Sequence, residues 1–244
     1  MRSKRTKLPR HTFCKGRKSS ATATSPLNRG ARAWGMEPMS GSQKIEALLF
    51  DMGGVLFNID FNIAFQTWKQ WTLLSVEELR SRFKMDEPYK KHEIGEIGAS
   101  QYFHHLRNVL ELHATDSEIA LGWNAIYLDE IDETLNYISK VKGRLPCFAF
   151  TNSNPTHQDF WVNKYPRVIK SLDKIFVSSE LGLRKPERES FEAISNATGI
   201  SLGDMLFFDD TKENVIGAER SGMRAVYVRD HADVKQALVE IGAL

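Results

Sequence analysis

Five short apolar runs restrict the fold of this chain more than any other feature: "IEALLF" (45–50), "LPCFAF" (145–150), "KIFVSS" (174–179), "MLFFDD" (205–210) and "RAVYV" (224–228). Each is too short for a helix and reads as a strand. Between and after them run segments of helical period: "DETLNYISKVKG" closed by Gly143, "PTHQDFWVNKY" opened by Pro155, "ERESFEAISNATG" ending at Gly199, "KENVIGAERSG" and "HADVKQALVEIG". Strands that alternate with helices of this length need crossover connections, and crossovers build a parallel sheet. The expected fold class is therefore α/β, a Rossmann-like parallel sheet with helices on both faces.

One gap breaks the alternation. Residues 61–127 carry only helical patterns, "FNIAFQTWKQW", "SVEELRSRF", "ASQYFHHLRNVLEL" and "TDSEIALGWNAIY", with Ser75 and Thr115 placed as N-caps before acidic residues. The block is too long for a loop and has its own apolar pattern. It reads as an inserted small helical cap over 61–130, leaving an α/β core of 44–60 and 131–244. Within the block, His104 and His105 read as an exposed helix face. Trp68, Trp71 and Trp123, like Trp161 further on, read as packing residues.

Charge sets the first residues apart. The chain has 33 Lys and Arg against 31 Asp and Glu, a net of +2, yet ten of the basic residues fall within 1–36, which contain no acid. Residues 1–43 read as a disordered basic tail. A transit peptide, an anionic-surface patch and sequence upstream of a start at Met36 or Met39 compete to explain it, the last favoured. With 41% hydrophobic and 26% charged residues overall, the chain reads as a soluble globule. No apolar run approaches the roughly 18–20 residues of a membrane span. The expectation is a cytoplasmic monomer or weak homodimer with neither nucleic-acid nor membrane partner, the tail leaving organelle targeting open. Cys14 and Cys147 suggest no disulfide framework.

Ligands of an open parallel sheet bind beyond the carboxyl ends of its strands. The first strand ends at Asp51, the second at Thr151 and Asn152, the third leads to Lys185, and the fourth ends at Asp209 and Asp210. Any one of these alone is more simply a cap or turn residue. Together they place three carboxylates, a hydroxyl and an ammonium on one rim. The carboxylates would repel one another unless a cation sits among them, and a hard divalent ion suits oxygen ligands. A carboxylate can attack phosphorus, and phosphoryl transfer needs positive charge and donors around the transferred group. Lys185 and a metal offer the charge. Thr151 and backbone N–H groups offer donors, and Gly53 and Gly54 allow close backbone approach.

The stretches "FDMGGVLF", "FTNSN", "LRKPE" and "FFDDTKENVIGA", in this order and spacing, resemble the four motifs of the haloacid dehalogenase-like hydrolase superfamily. With "NIDFN", "KKHEIGEI" and "FWVNKYP" the chain looks most like the branch that contains alpha-D-glucose-1-phosphate phosphatase and the phosphatase domain of soluble epoxide hydrolase. The resemblance runs from residue 45 to the end. It implies a magnesium-dependent phosphatase acting on a small phosphorylated metabolite, a sugar phosphate foremost, through an aspartyl-phosphate. It implies Asp51 as nucleophile and Lys185 as its orienting cation. Thr151 and Asn152, with Gly53 and Gly54, would bind the phosphoryl group. The metal would be held by Asp51, the carbonyl of Gly53, Asp209 and Asp210, with Asn214 supporting these acids. The cap would select the substrate. His92 and Glu93 read as ordinary cap residues, with a place in a cap loop that dips toward the substrate as the lesser reading.

Position 53 departs from the pattern. Most phosphatases resembling this chain place a second aspartate there as general acid and base, a function worth roughly 10²–10⁴-fold. Glycine keeps the carbonyl and loses the acid, although the glucose-1-phosphate phosphatase branch itself carries glycine here. Asp60 reads as a turn or cap residue rather than a substitute acid, and His157, at the start of its helix, is not assigned to the rim. Two rivals follow: a metal-independent haloacid dehalogenase, against which Asp209 and Asp210 argue, and a weakly active, ligand-binding member of the fold.

Overall fold

The structure, a computed structural model, describes residues 44–244. The expected basic tail and Cys14 lie outside the described residues. Seven strands and twelve α-helices follow in order: β1 (Ala47–Phe50), β2 (Phe57–Ile59), α1 (Phe61–Trp68), α2 (Val76–Arg82), α3 (Glu87–Glu93), α4 (Ala99–Leu110), α5 (Asp116–Asn124), β3 (Tyr127–Glu130), α6 (Asp132–Val141), β4 (Cys147–Thr151), α7 (Pro155–Lys164), α8 (Pro166–Ser171), β5 (Lys174–Val177), α9 (Ser178–Leu181), α10 (Arg188–Thr198), β6 (Met205–Asp209), α11 (Lys212–Arg220), β7 (Arg224–Tyr227) and α12 (His231–Glu240). Two short 3₁₀ turns add to these. Among the described residues no helix is long and apolar enough to cross a membrane.

Five strands form one parallel sheet in the order β5-β4-β1-β6-β7, as the crossover pattern requires. β1 lies at its centre, with Leu49 between Phe148 and Phe207, and all four of its residues are fully buried. Strand alternation sends Leu48 and Phe50 into one apolar cluster, with Cys147, Ala149, Leu206 and Phe208. It sends Ala47 and Leu49 into the other, with Phe148, Phe150, Phe191 and Phe207. Phe50 and Phe208 stack with ring centroids 4.8 Å apart. Both faces are thus filled, and only the strand ends are left for polar chemistry.

Helices α1–α5 run between β2 and β3. Ser75 and Thr115 close capping boxes with Glu78 and Glu118, and Asp60 caps α1 by accepting the Asn62 N–H at 2.8 Å. Two stretches differ from their sequence pattern, the first at the end of the helical block. That block reads as carrying no strand, whereas β3 pairs antiparallel with β2, matching Phe57 to Glu130 and Ile59 to Tyr127. Three- and four-residue strands are too short to set up a period, and "YLDE" continues straight from a helix. In the same way the serines of "KIFVSS" begin α9 rather than extend β5.

Trp123 organises the helical block, with Phe61, Trp68, Phe83, Tyr89 and Tyr102 all within 6.1 Å of it, centroid to centroid. Trp68 donates its indole N–H to Ile119 O at 3.0 Å, and this needs α5 to come unusually close. Gly122 allows it, since a Cβ there would stand 2.2 Å from Trp68 Nε1. Gly122→Ala is therefore expected to cost about 1–3 kcal/mol through overpacking, more than offsetting alanine's better helix propensity. Urea unfolding of the two proteins checks this.

Candidate active site

The carboxyl ends of β1, β4 and β6 and the loop before α10 bring the expected residues together. Asp51 follows β1, and its backbone N–H is fixed to Phe208 O at 2.7 Å. Lys185, only 1% exposed, reaches across the rim. Its Nζ lies 2.8 Å from Asp51 Oδ1 and donates to Asp209 Oδ2 at 2.7 Å and to Phe150 O at 2.9 Å. Three acceptors account for the three ammonium protons. Lys185 thus holds Asp51 in place and leaves the other carboxylate oxygen of Asp51 clear of this contact.

Asp209 is fully buried and its oxygens are taken up. Besides Lys185 it accepts the Thr211 N–H at 2.7 Å, and Asn214 Nδ2 lies 3.1 Å from both of its oxygens. Asp210 has a lighter load, a 3.3 Å contact from the Thr211 hydroxyl. One carboxylate oxygen from each of Asp51, Asp209 and Asp210 lies within 4.8 Å of the others. Burial pushes the Asp51 carboxyl up to about 7; Lys185 opposes the rise, while Asp209 and Asp210 add to it. Burial and then Asp209 also raise Asp210. Lys185 is raised because its two carboxylate partners outweigh the burial that would lower it.

Three carboxylates and one ammonium leave two negative charges uncompensated, and a divalent cation would neutralise them. The donor set fits such an ion. It consists of hard oxygens already gathered, with one acid, Asp210, largely free to turn to a ligand. Gly54 makes the approach possible: it sits at φ +72°, and a Cβ there would fall 2.1 Å from Asp210 Oδ2. A cation held by Asp51 as carboxylate would have to displace its proton below pH 7. Magnesium affinity is therefore expected to climb up to about tenfold per pH unit until pH 7 and then to level off. Calorimetry in buffers of different ionisation enthalpy reads both the affinity and the released proton.

Thr151, at the end of β4, is 7% exposed on the same rim. Asn152 differs from the expectation for its side chain. It accepts the Lys185 backbone N–H at 2.9 Å and donates to Lys185 O at 3.0 Å, so both its polar ends brace the lysine. Only its backbone is left to offer a phosphoryl group. Gly53 bridges to Phe57, and a Cβ at position 53 would lie 3.1 Å from Ile59 Cδ1. Ile59 thus presses on the place where an acid would stand. A three-residue strand gave no signal for it in the sequence.

The remaining candidates lie apart from the reacting rim. His157 is buried, stacks on Trp123 at 4.6 Å and meets Asn124 Oδ1 through Nδ1 at 3.0 Å. Burial, then His92, hold its imidazole well below the usual range, so it is a neutral packing residue. On α4 His104 is exposed and contacts Asn108, whereas His105, expected on the same exposed face, is half-buried and pairs with Asp86 at 2.9 Å. His92 and Glu93 are buried at the end of α3, and His92 stacks on Tyr102. Trp68, Trp123 and Trp161 are buried, while Trp71 packs at the edge of the core.

Comparison with known proteins bears on this geometry. The haloacid dehalogenase-like hydrolase family matches residues 45–222. The chain is 24% identical to D-ribitol-5-phosphate phosphatase of Bacteroides thetaiotaomicron, over 81% of this chain and 98% of that one. It is 25% identical to a sesquiterpene phosphatase of Aspergillus oryzae, over 76% and 90%. Among solved structures, a HAD family enzyme from Bacteroides thetaiotaomicron in complex with magnesium and inorganic phosphate superposes with a TM-score of 0.65. It is 26% identical and covers 74% of this chain and 92% of its own.

Proposed function

The chain belongs to the haloacid dehalogenase-like hydrolase family, as a phosphoric monoester hydrolase, and we propose that it cleaves a small phosphomonoester, foremost a sugar phosphate, with magnesium and through a phosphorylated Asp51. The observation that carries this reading is the Lys185 bridge, which fixes one oxygen of Asp51 at 2.8 Å beside two further acids. The magnesium-and-phosphate complex of a structural neighbour supports the same reading.

In this account the second oxygen of Asp51 attacks phosphorus and the bond to the ester oxygen breaks. The alcohol leaves with a proton taken from solvent. Water then attacks the phosphorus, the bond to Asp51 breaks, and inorganic phosphate departs with the carboxylate restored. Asp51, Asp210 and the Gly53 carbonyl would hold the ion, which supplies positive charge for the phosphoryl oxygens; Asp209, expected as a further ligand, has both oxygens engaged by Lys185, Thr211 and Asn214 and would add its charge from behind. Thr151 and the Asn152 backbone would bind those oxygens, with the backbone at Gly53 and Gly54. Asn214 and Lys185 hold Asp209 in its orientation.

Gly53 leaves no acid for the leaving group, so substrates whose alcohol leaves readily, such as anomeric sugar phosphates, are favoured. The block 61–130, with its aromatic interior, would act as the cap that selects the alcohol. Phosphate release from p-nitrophenyl phosphate is expected with magnesium and lost with EDTA. Chloride release from 2-chloropropionate without metal would point instead to a dehalogenase, and absence of both activities to a binding protein.

A further inference from the structure

We propose that an ion pair between buried Glu93 and half-buried Arg184 docks the helical block onto the core and thereby positions Lys185. Both would be positioning residues for the reaction proposed above, on which the kinetic part of this inference rests. The two residues lie 91 positions apart. Arg184 directs both Nε and a terminal guanidinium nitrogen to Glu93 Oε2, each at 2.8 Å. Glu93 is the last residue of α3, and Arg184 is the chain neighbour of Lys185. Glu93 is 5% exposed, and the Tyr89 hydroxyl also faces its carboxyl.

Two further contacts seat the same turn. Ser178 Oγ lies 2.6 Å from Glu93 O and accepts the Ser153 N–H at 2.9 Å, tying α3 to the segment that follows β4. Gly95, at φ +73°, passes so close that a Cβ would stand 2.6 Å from Ser179 O. The end of α3 and the turn after it therefore rest on α9, which follows β5, and reach the segment after β4 through Ser178 and the loop that carries Lys185 through Arg184. Asn152 already joins these two, holding Lys185 by both its N–H and its C=O.

Energetics favour a registry role over a stabilising one. A buried ion pair gains little over hydrated charges, because desolvation offsets most of the attraction. Its directional, two-nitrogen geometry nevertheless fixes one seating of α3 against the loop. When the block is seated, Arg184 cannot shift without stranding Glu93, so the backbone at Lys185 is held as well.

Glu93→Gln, Arg184→Met, Arg184→Lys and the Glu93→Gln/Arg184→Met double variant test this on the full chain. Each of the two charge-removing single variants is expected to lower kcat roughly 10- to 100-fold through misplacement of Lys185, with KM within about threefold. The double variant should be no worse than the poorer single one, and Arg184→Lys should recover part of the loss. Independently of activity, exchange of the Lys185 amide hydrogen should quicken about tenfold or more in Glu93→Gln. The Leu48 amide, bonded to Pro146 O within the sheet, should not change. An unchanged Lys185 exchange rate overturns the proposal, as do fully additive losses in kcat. If the wild-type protein releases no phosphate, the phosphatase reading fails and amide exchange alone decides the docking role.

Discussion

Asp51→Asn is expected to lower turnover by on the order of 10⁴-fold or more while making the metal-free protein more stable at pH 8. The first effect follows from replacing a nucleophilic carboxylate with an amide, a loss that other groups do not make good. The second follows from electrostatics. Burial, reinforced by Asp209 and Asp210 against the pull of Lys185, raises the Asp51 carboxyl from an ordinary 3.8 to about 7. Between those values the folded protein keeps a proton that the unfolded chain has released. The group's contribution to stability is therefore fully present below pH 3.8 and lost as pH rises through 7. An uncharged amide has no such loss. The melting temperature of Asp51→Asn should match wild type near pH 4 and exceed it progressively up to pH 7, beyond which the gap stays constant. Magnesium should narrow the gap by stabilising wild type more than the variant. Equal melting temperatures at pH 8 would contradict this account of the rim.

Lys185→Met should act in the opposite direction on stability. The substitution leaves Asp209 buried without its cation and also strands Phe150 O and Asp51 Oδ1. Removing one partner of a buried charge pair costs about 3–5 kcal/mol, which for a chain of this size lowers the melting temperature by roughly 10 °C. Magnesium gives the distinguishing readout. With the ammonium gone the three acids carry an extra net negative charge, so the ion should stabilise Lys185→Met by more degrees than it stabilises wild type. Turnover should remain at least about 10²-fold down even with magnesium saturating, since the ion does not restore the hold on Asp51. A variant with normal stability and no larger magnesium response would show that Lys185 does not balance the cluster.

The rim was legible in the sequence because the fold leaves it little freedom. Parallel strands joined by crossovers all finish at one edge, so Asp51, Thr151, Asp209 and Asp210, each closing an apolar run, had to meet there. The helices of the inserted block were legible through their caps at Ser75 and Thr115. The short β2–β3 pair was not, because three or four residues cannot display a period. Neither was Asn152's grip on Lys185, 33 residues away, nor Glu93's pairing with Arg184. Contacts of that kind depend on how separate elements dock, which no local pattern records. Gly53 was conspicuous for the acid it lacks, but the pressure of Ile59 on that position comes from β2 beside it. Gly122 drew no attention in the sequence, because only the docking of α1 on α5 shows that Trp68 crosses there.

The central claim is that phosphorus is received on Asp51. Quenching the magnesium-loaded enzyme in mid-turnover, reducing it with borohydride and sequencing its peptides by mass spectrometry tests this directly. An aspartyl-phosphate is reduced to homoserine, so the account predicts that conversion at residue 51, dependent on substrate and magnesium and absent from Asp51→Asn. Turnover that proceeds with no reducible residue at position 51, or with the converted residue elsewhere on the chain, would contradict it.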